Sequence, residues 1–252
     1  MEKIKPFLIW EDDIDNVAQL KVLLPQGDRL VVPFVGAGNV FLTTSYPAYL
    51  LTDKDEDLIN VFQSLIKYKQ AFVNRAKQFF SVSTNNEEVY EFYRYVLKNM
   101  PINKAISEQR LQRACVWLYL NHHGAREQCC YHNKNNFDIP YGAHKQVRFP
   151  EQEMQLFLAK ASRCDLTFLV ADIWNTLAMA KYGDVIFCKI PQMAITKATY
   201  FDSNNREFTW SDHFLLFKRC CELEQDGIPV VIANDNMYSK PKTDLRMLND
   251  TL

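Results

Sequence analysis

What this 252-residue chain lacks narrows its class before any motif is read. It has no basic excess: 29 Lys and Arg stand against 30 acids, a formal charge of −1 with pI near 6.5, where a dedicated duplex binder carries a surplus of cations. Affinity for a polyanion would therefore rest on local patches and fall steeply with salt. No apolar run approaches a membrane span, and Met1-Glu2-Lys3-Ile4-Lys5-Pro6 has no signal-peptide stretch. A disulfide framework is missing too: the 7 cysteines are odd in number and include the adjacent pairs Cys129-Cys130 and Cys220-Cys221. A cytoplasmic protein without membrane contact is expected. There is no internal repeat, no low-complexity linker, and no acidic block beyond short runs such as Glu87-Glu88.

What is present is a core. At 48% hydrophobic composition the chain can bury one substantial domain. Apolar runs predict strands at 30–35, 49–52, 166–170, 184–188 and 229–233, and helices at 55–67, 151–162 and 211–225. Between 67 and 120 apolar residues recur at helical spacing, as in Val89-Phe92-Tyr93-Val96-Leu97, and their aromatics read as bundle core. Strands alternating with helices predict an α/β fold with a helical insert.

Two features carry chemistry on their own. Gly36 and Gly38 follow the first strand, where glycine lets backbone approach a ligand closely, and Asp53 ends the second, where an acid can accept hydrogen bonds from a ribose. The position three beyond Gly38 is Phe41, so a nicotinamide dinucleotide loop is disfavoured; a tight turn without ligand is the plain alternative. His122, His123, Cys129, Cys130 and His132 crowd together but match no zinc spacing, so no metal is expected. Cys188 reads as a buried strand residue, without a base to activate it.

Five segments in order resemble the Dam-type DNA adenine methyltransferase family: Leu30 to Phe41 with its glycine loop, Tyr49 to Ile59, Asn121-His122-His123-Gly124 with Phe137 to Gly142, Phe149-Pro150-Glu151, and Ile228 to Asp235. The resemblance covers nearly the whole chain. It implies a Rossmann-like S-adenosylmethionine-dependent methyltransferase fold (residues 1–66 and 164–252) with a helical target-recognition subdomain inserted (67–163). It further implies a cofactor pocket from Trp10, Phe34, Gly36, Gly38, Asp53 and Asp172, and DNA contacts from Arg126, Lys134, Lys145 and Arg148.

The departures from the family decide the functional expectation. Lys189-Ile190-Pro191-Gln192 stands where the family carries Asp-Pro-Pro-Tyr, whose acid and proline carbonyl accept hydrogen bonds from the target amine and whose ring stacks on the base. Lysine offers only donors, and glutamine has no aromatic face. Glu11-Asp12-Asp13 replaces glycines of the family's opening segment, a run that also suits the cap of a helix starting near Ile14. Val32 replaces an acid before Pro33-Phe34. Cys130 replaces an arginine able to read guanine, which removes support for GATC specificity. The expectation is a catalytically inactive homologue acting as a binding or regulatory protein, such as a phage factor interfering with host enzymes; the alternative is an active adenine N6-methyltransferase with a diverged motif. No cofactor is expected, S-adenosylmethionine being the candidate where the remnant pocket still binds. DNA and a protein partner or self-association are the expected partners. An open sheet edge beyond the last strand would favour such association.

Overall fold

The computed structural model describes residues 5–10, 20, 23–101, 107–125, 137, 139–189, 210–234 and 237–239. Among these residues six strands form one sheet: β1 (Arg29–Val32), β2 (Ala48–Asp53), β3 (Asp165–Val170), β4 (Asp184–Lys189), β5 (Val230–Asn234) and β6 (Met237–Ser239), in the order β3-β2-β1-β4-β5-β6. β1 to β5 run parallel and β6 lies antiparallel on β5. The chain builds outward from β1 to β3, then returns to place β4 against β1. The carboxyl ends of β1 and β4 thus flank the point where the strand order reverses, which is where open α/β sheets bind ligands.

Eight helices are described: α1 (Asn39–Thr43), α2 (Glu56–Tyr68), α3 (Gln70–Lys77), α4 (Glu87–Asn99), α5 (Ser107–His123), α6 (Glu151–Ala161), α7 (Ile173–Ala178) and α8 (Trp210–Gln225). Local chemistry sets several ends. β1 stops at Val32 because Pro33 has no N–H to give the ladder. α2 starts where the Asp55 carboxylate accepts from Asp57 N at 2.9 Å and Leu58 N at 3.1 Å, with Glu56 and Asp57 favoured by the helix dipole.

The five expected strands and three expected helices are all present within a few residues. α1, α7 and β6 are additional, and β6 covers the edge of β5 that the sequence suggested would be open. The helix expected near Ile14 lies outside the described residues.

One face of the sheet carries an aromatic centre. Phe62 stacks on Phe168 with ring centroids 4.5 Å apart, and Phe157 meets Phe7 at 5.3 Å and Phe41 at 5.2 Å. This cluster runs on into α3, α4 and α5 through Phe72, Tyr90, Ala114 and Leu118, so the insert and the sheet share apolar packing. Phe92 departs from the expected bundle core, being 59% exposed. On the other face α7 and α8 cover Val31, Leu50, Ile186 and Cys188 with Leu177, Leu216 and Cys220. The burial of Cys188 accords with its reading as a strand residue.

The helices are bolted by one buried ion pair. Arg113 on α5 donates from Nε and Nη2 to the two oxygens of Asp57 at 2.5 and 2.7 Å, and from Nη1 to the Leu97 carbonyl at 2.6 Å and the Met100 carbonyl.

Candidate active site

The loop after β1 turns sharply. Val35 N donates to Thr52 O and Gly38 N to Val35 O, both at 2.9 Å, and Gly36 and Gly38 have φ of 50° and 82°. Such angles belong to the left-handed region, where glycine costs least. At Gly38 space is not the constraint, since an added Cβ would meet only the Phe62 ring at 3.5 Å. At Gly36 both count: a Cβ would lie 3.2 Å from Trp10 Nε1. Trp10 therefore rests directly on the glycine loop.

Asp53, at the end of β2, faces the same loop. Its Oδ2 accepts from Gly36 N at 3.4 Å and its Oδ1 from Asp55 N at 3.1 Å. Burial raises its pKa above the ordinary carboxylate value, and those two backbone donors partly offset the rise. Asp172 follows β3 and caps α7, accepting from Asn175 N at 2.8 Å. Beneath both acids the Thr52 and Thr176 hydroxyls meet at 2.7 Å, fixing α7 to β2. That pair was not foreseen, because its members lie 124 residues apart.

Of the degenerate motif, Lys189 is placed: it ends β4, paired in register with Ala233 of β5, and is partly buried. Ile190, Pro191 and Gln192 lie outside the described residues. Phe34 packs against the cluster on the α7 and α8 face, and Val32 is 1% exposed in the opposite core. Trp10, Gly36 and Asp53 thus come together around one turn, with Asp172 just past the end of β3, on the β2 side, and Lys189 at the end of β4, on the β1 side.

The second expected region starts at the end of α5. Gly124 and Tyr141 form an antiparallel bridge, Ala125 N donates to Pro140 O at 2.8 Å, and Gly142 N donates to His123 O at 2.9 Å. The strands meet so closely that a Cβ on Gly142 would lie 2.6 Å from Gly124 O. Tyr90 Oη donates to Ile139 O at 2.7 Å and Asn85 Nδ2 to His144 O at 2.8 Å, anchoring this base to α4 and the turn before it. Lys145 is exposed. Arg148 is also exposed but pairs with Glu153; burial works against the Glu153 carboxylate, and the hydrogen bond and charge of Arg148 outweigh it and lower the pKa. Arg126 and Lys134, with Cys129, Cys130 and His132, lie outside the described residues.

The two histidines of α5 are engaged internally. His122 Nε2 meets Phe7 O and His123 Nδ1 meets Tyr119 O, each at 2.8 Å. Among the described residues no group of three or more potential ligands is arranged for a metal, and no helix is long and apolar enough to cross a membrane. Burial lowers the pKa of His123 from 6.5 to about 4, against the pull of its bond to Tyr119. The unfolded chain then binds a proton that the folded chain refuses between those two values. Stability is accordingly full above about pH 6.5 and declines toward pH 4, by roughly 3 kcal/mol at most. Urea unfolding at pH 7 and pH 4.5 checks this: His123→Asn, whose amide can still donate to Tyr119 O, should lose much less on acidification than the parent.

A parallel sheet with its order reversed between β1 and β4, a glycine turn after β1 and an acid at the end of β2 define a Rossmann-like α/β protein. Proteins of this class bind ligands at the carboxyl ends of the strands. Residues 15–249 match the family described as D12 class N6 adenine-specific DNA methyltransferase. The chain is 35% identical over 220 residues to the retron Ec67 DNA adenine methylase of Escherichia coli, covering 87% of this chain and 73% of that protein. It is 35% identical over 239 residues to a DNA adenine methylase of Vibrio cholerae (93% and 82% covered) and 32% identical over 243 residues to that of Escherichia coli K12 (95% and 84%). This chain belongs to the D12 class N6 adenine-specific DNA methyltransferase family.

Proposed function

We propose that this chain is a catalytically inactive member of its family, a binding or regulatory protein that engages DNA or a protein partner through the methyltransferase scaffold. The observation that carries the reading is Lys189 at the end of β4, beside the point where the strand order reverses. Methylating an adenine amine requires the base to be extruded and its nitrogen aligned with the methyl donor. Residues that accept hydrogen bonds from that nitrogen do the aligning, and an ammonium accepts none. A cation there also opposes the positive charge that the nitrogen gains on attack. Gln192 forgoes stacking worth about 1–3 kcal/mol.

Two left-handed glycines after β1 and an acid at the end of β2 support a nucleoside-bearing ligand as the occupant. In this reading Trp10, Phe34, Gly36, Gly38, Asp53 and Asp172 are the residues to hold S-adenosylmethionine, which in the family supplies an electrophilic methyl group. Asp53 supports the assignment best, since its carboxylate sits at the strand end beside two left-handed glycines. Residues 67–163 serve as the recognition subdomain, with Arg126, Lys134, Lys145 and Arg148 as phosphate contacts of modest, salt-dependent strength.

Incubating the protein with labelled S-adenosylmethionine and adenine-containing duplex DNA tests the proposal. No label should enter the base above background; incorporation at the rate of the relatives would refute it. Lys189→Asp combined with Gln192→Tyr should restore measurable transfer where the cofactor still binds, which calorimetry reports separately. The second reading, an active enzyme with a diverged motif, is favoured by the extent of the similarity to DNA adenine methylases, and the same assay decides between them.

A further inference from the structure

We infer that β3 is a latent strand-addition edge for a second copy of this chain, held shut by Gln63. Among the described residues β3 is an outermost strand, and its register with β2 runs unbroken from Asp165 opposite Ala48 to Val170 opposite Asp53. Asp165 N donates to Pro47 O and Ala171 N to Asp53 O, so the odd-numbered positions point their backbone groups into the sheet. The N–H and C=O groups of Leu166, Phe168 and Val170 consequently point outward. Proteins blunt such edges with proline, lysine, bulges or a covering segment. The sequence Asp-Leu-Thr-Phe-Leu-Val contains neither proline nor lysine, and its pairing shows no bulge. Leu169 and Val170 are 37% and 47% exposed.

Among the described residues one side chain bonds to this edge. Gln63 on α2 donates from Nε2 to the outward carbonyl of Phe168 at 2.8 Å. Its own oxygen accepts from Arg110 Nη2 at 2.7 Å, and Arg110 is held in turn by Asn60, which accepts from Nε at 3.0 Å and donates to the Arg110 carbonyl at 2.9 Å. The amide is therefore fixed from two helices at the middle of the strand, not left to wander over it.

The occupant is a second copy because the strand complements itself. A two-fold axis through Phe168 sets Leu166 opposite Val170 and Thr167 opposite Leu169, apolar or β-branched pairs of the kind that stabilise antiparallel ladders, with no like charges facing. In that register the Phe168 carbonyl bonds the Phe168 N–H of the copy, the position that Gln63 now occupies. The inference is independent of whether the catalytic motif works.

Light scattering across a concentration series tests it. Gln63→Ala should dimerise at least ten-fold more tightly than the parent, and so should Gln63→Glu, which keeps the Arg110 contact but cannot donate to Phe168. Adding Val170→Pro, which deletes one outward N–H at an exposed position, should reverse the association in both. Two folded Gln63 variants with the parent's mass at every concentration would overturn the inference. So would dimers indifferent to Val170→Pro, or a parent chain already dimerised through β3.

Discussion

Asp57→Ala is expected to destabilise the fold by about 3–5 kcal/mol, the usual loss when one partner of a buried ion pair is removed. Arg113 keeps only 8% of its side chain exposed, and Asp57 supplies both oxygens of its bidentate contact. Deleting the acid strands a guanidinium between α2, α4 and α5 with only the carbonyls of Leu97 and Met100 to satisfy it. The urea midpoint should fall sharply. Replacing both partners, as Asp57→Leu with Arg113→Met, should recover much of the loss, because the desolvated charge then disappears along with its partner. An unchanged midpoint in Asp57→Ala would mean that the pair contributes nothing and that the apolar packing and the Asn60, Gln63 and Arg110 hydrogen bonds suffice to hold the helices.

Phe157→Ala should cost a similar 3–5 kcal/mol for another reason, the cavity left at the centre of the aromatic cluster. Phe157 is 1% exposed and its ring lies 5.2–5.6 Å from those of Phe41, Phe7 and Phe62. These neighbours come from α1, the segment before β1 and α2, so collapse around the void would draw three separate elements. Thermal unfolding checks the expectation, and Phe157→Leu should lose distinctly less because it leaves a smaller void.

Much of this architecture is legible in the sequence where the physics is local. The run from Asp184 to Cys188 reads as a strand because burial on both sheet faces demands continuous apolarity. The start of α2 is written in Asp55, and the turn after β1 in two glycines whose positive φ other residues resist. α7 escaped notice because its six residues carry too little periodicity, and β6 because three residues carry none. For the site, the placement of Asp53, Asp172 and Lys189 at strand ends follows from the strands themselves. Gln63 on Phe168 and Thr52 against Thr176 do not, since each joins residues more than 100 positions apart that no short-range pattern connects. The chemistry of Gln192 rests on residue type, while that of Lys189 rests on residue type and position together.

Asn121, near the end of α5, holds the segment that precedes β1. Its side-chain amide embraces the Ile9 peptide, accepting from N and donating to O, both at 2.9 Å, and Trp10 follows immediately with its indole against Gly36. Trp10 is thereby tied to the final turn of α5, from which the Gly124–Tyr141 bridge departs. The segment that seats the indole and the base of the Gly124–Tyr141 bridge therefore share one helix end, held by the Asn121 carboxamide and by the His122 Nε2 contact to the Phe7 carbonyl.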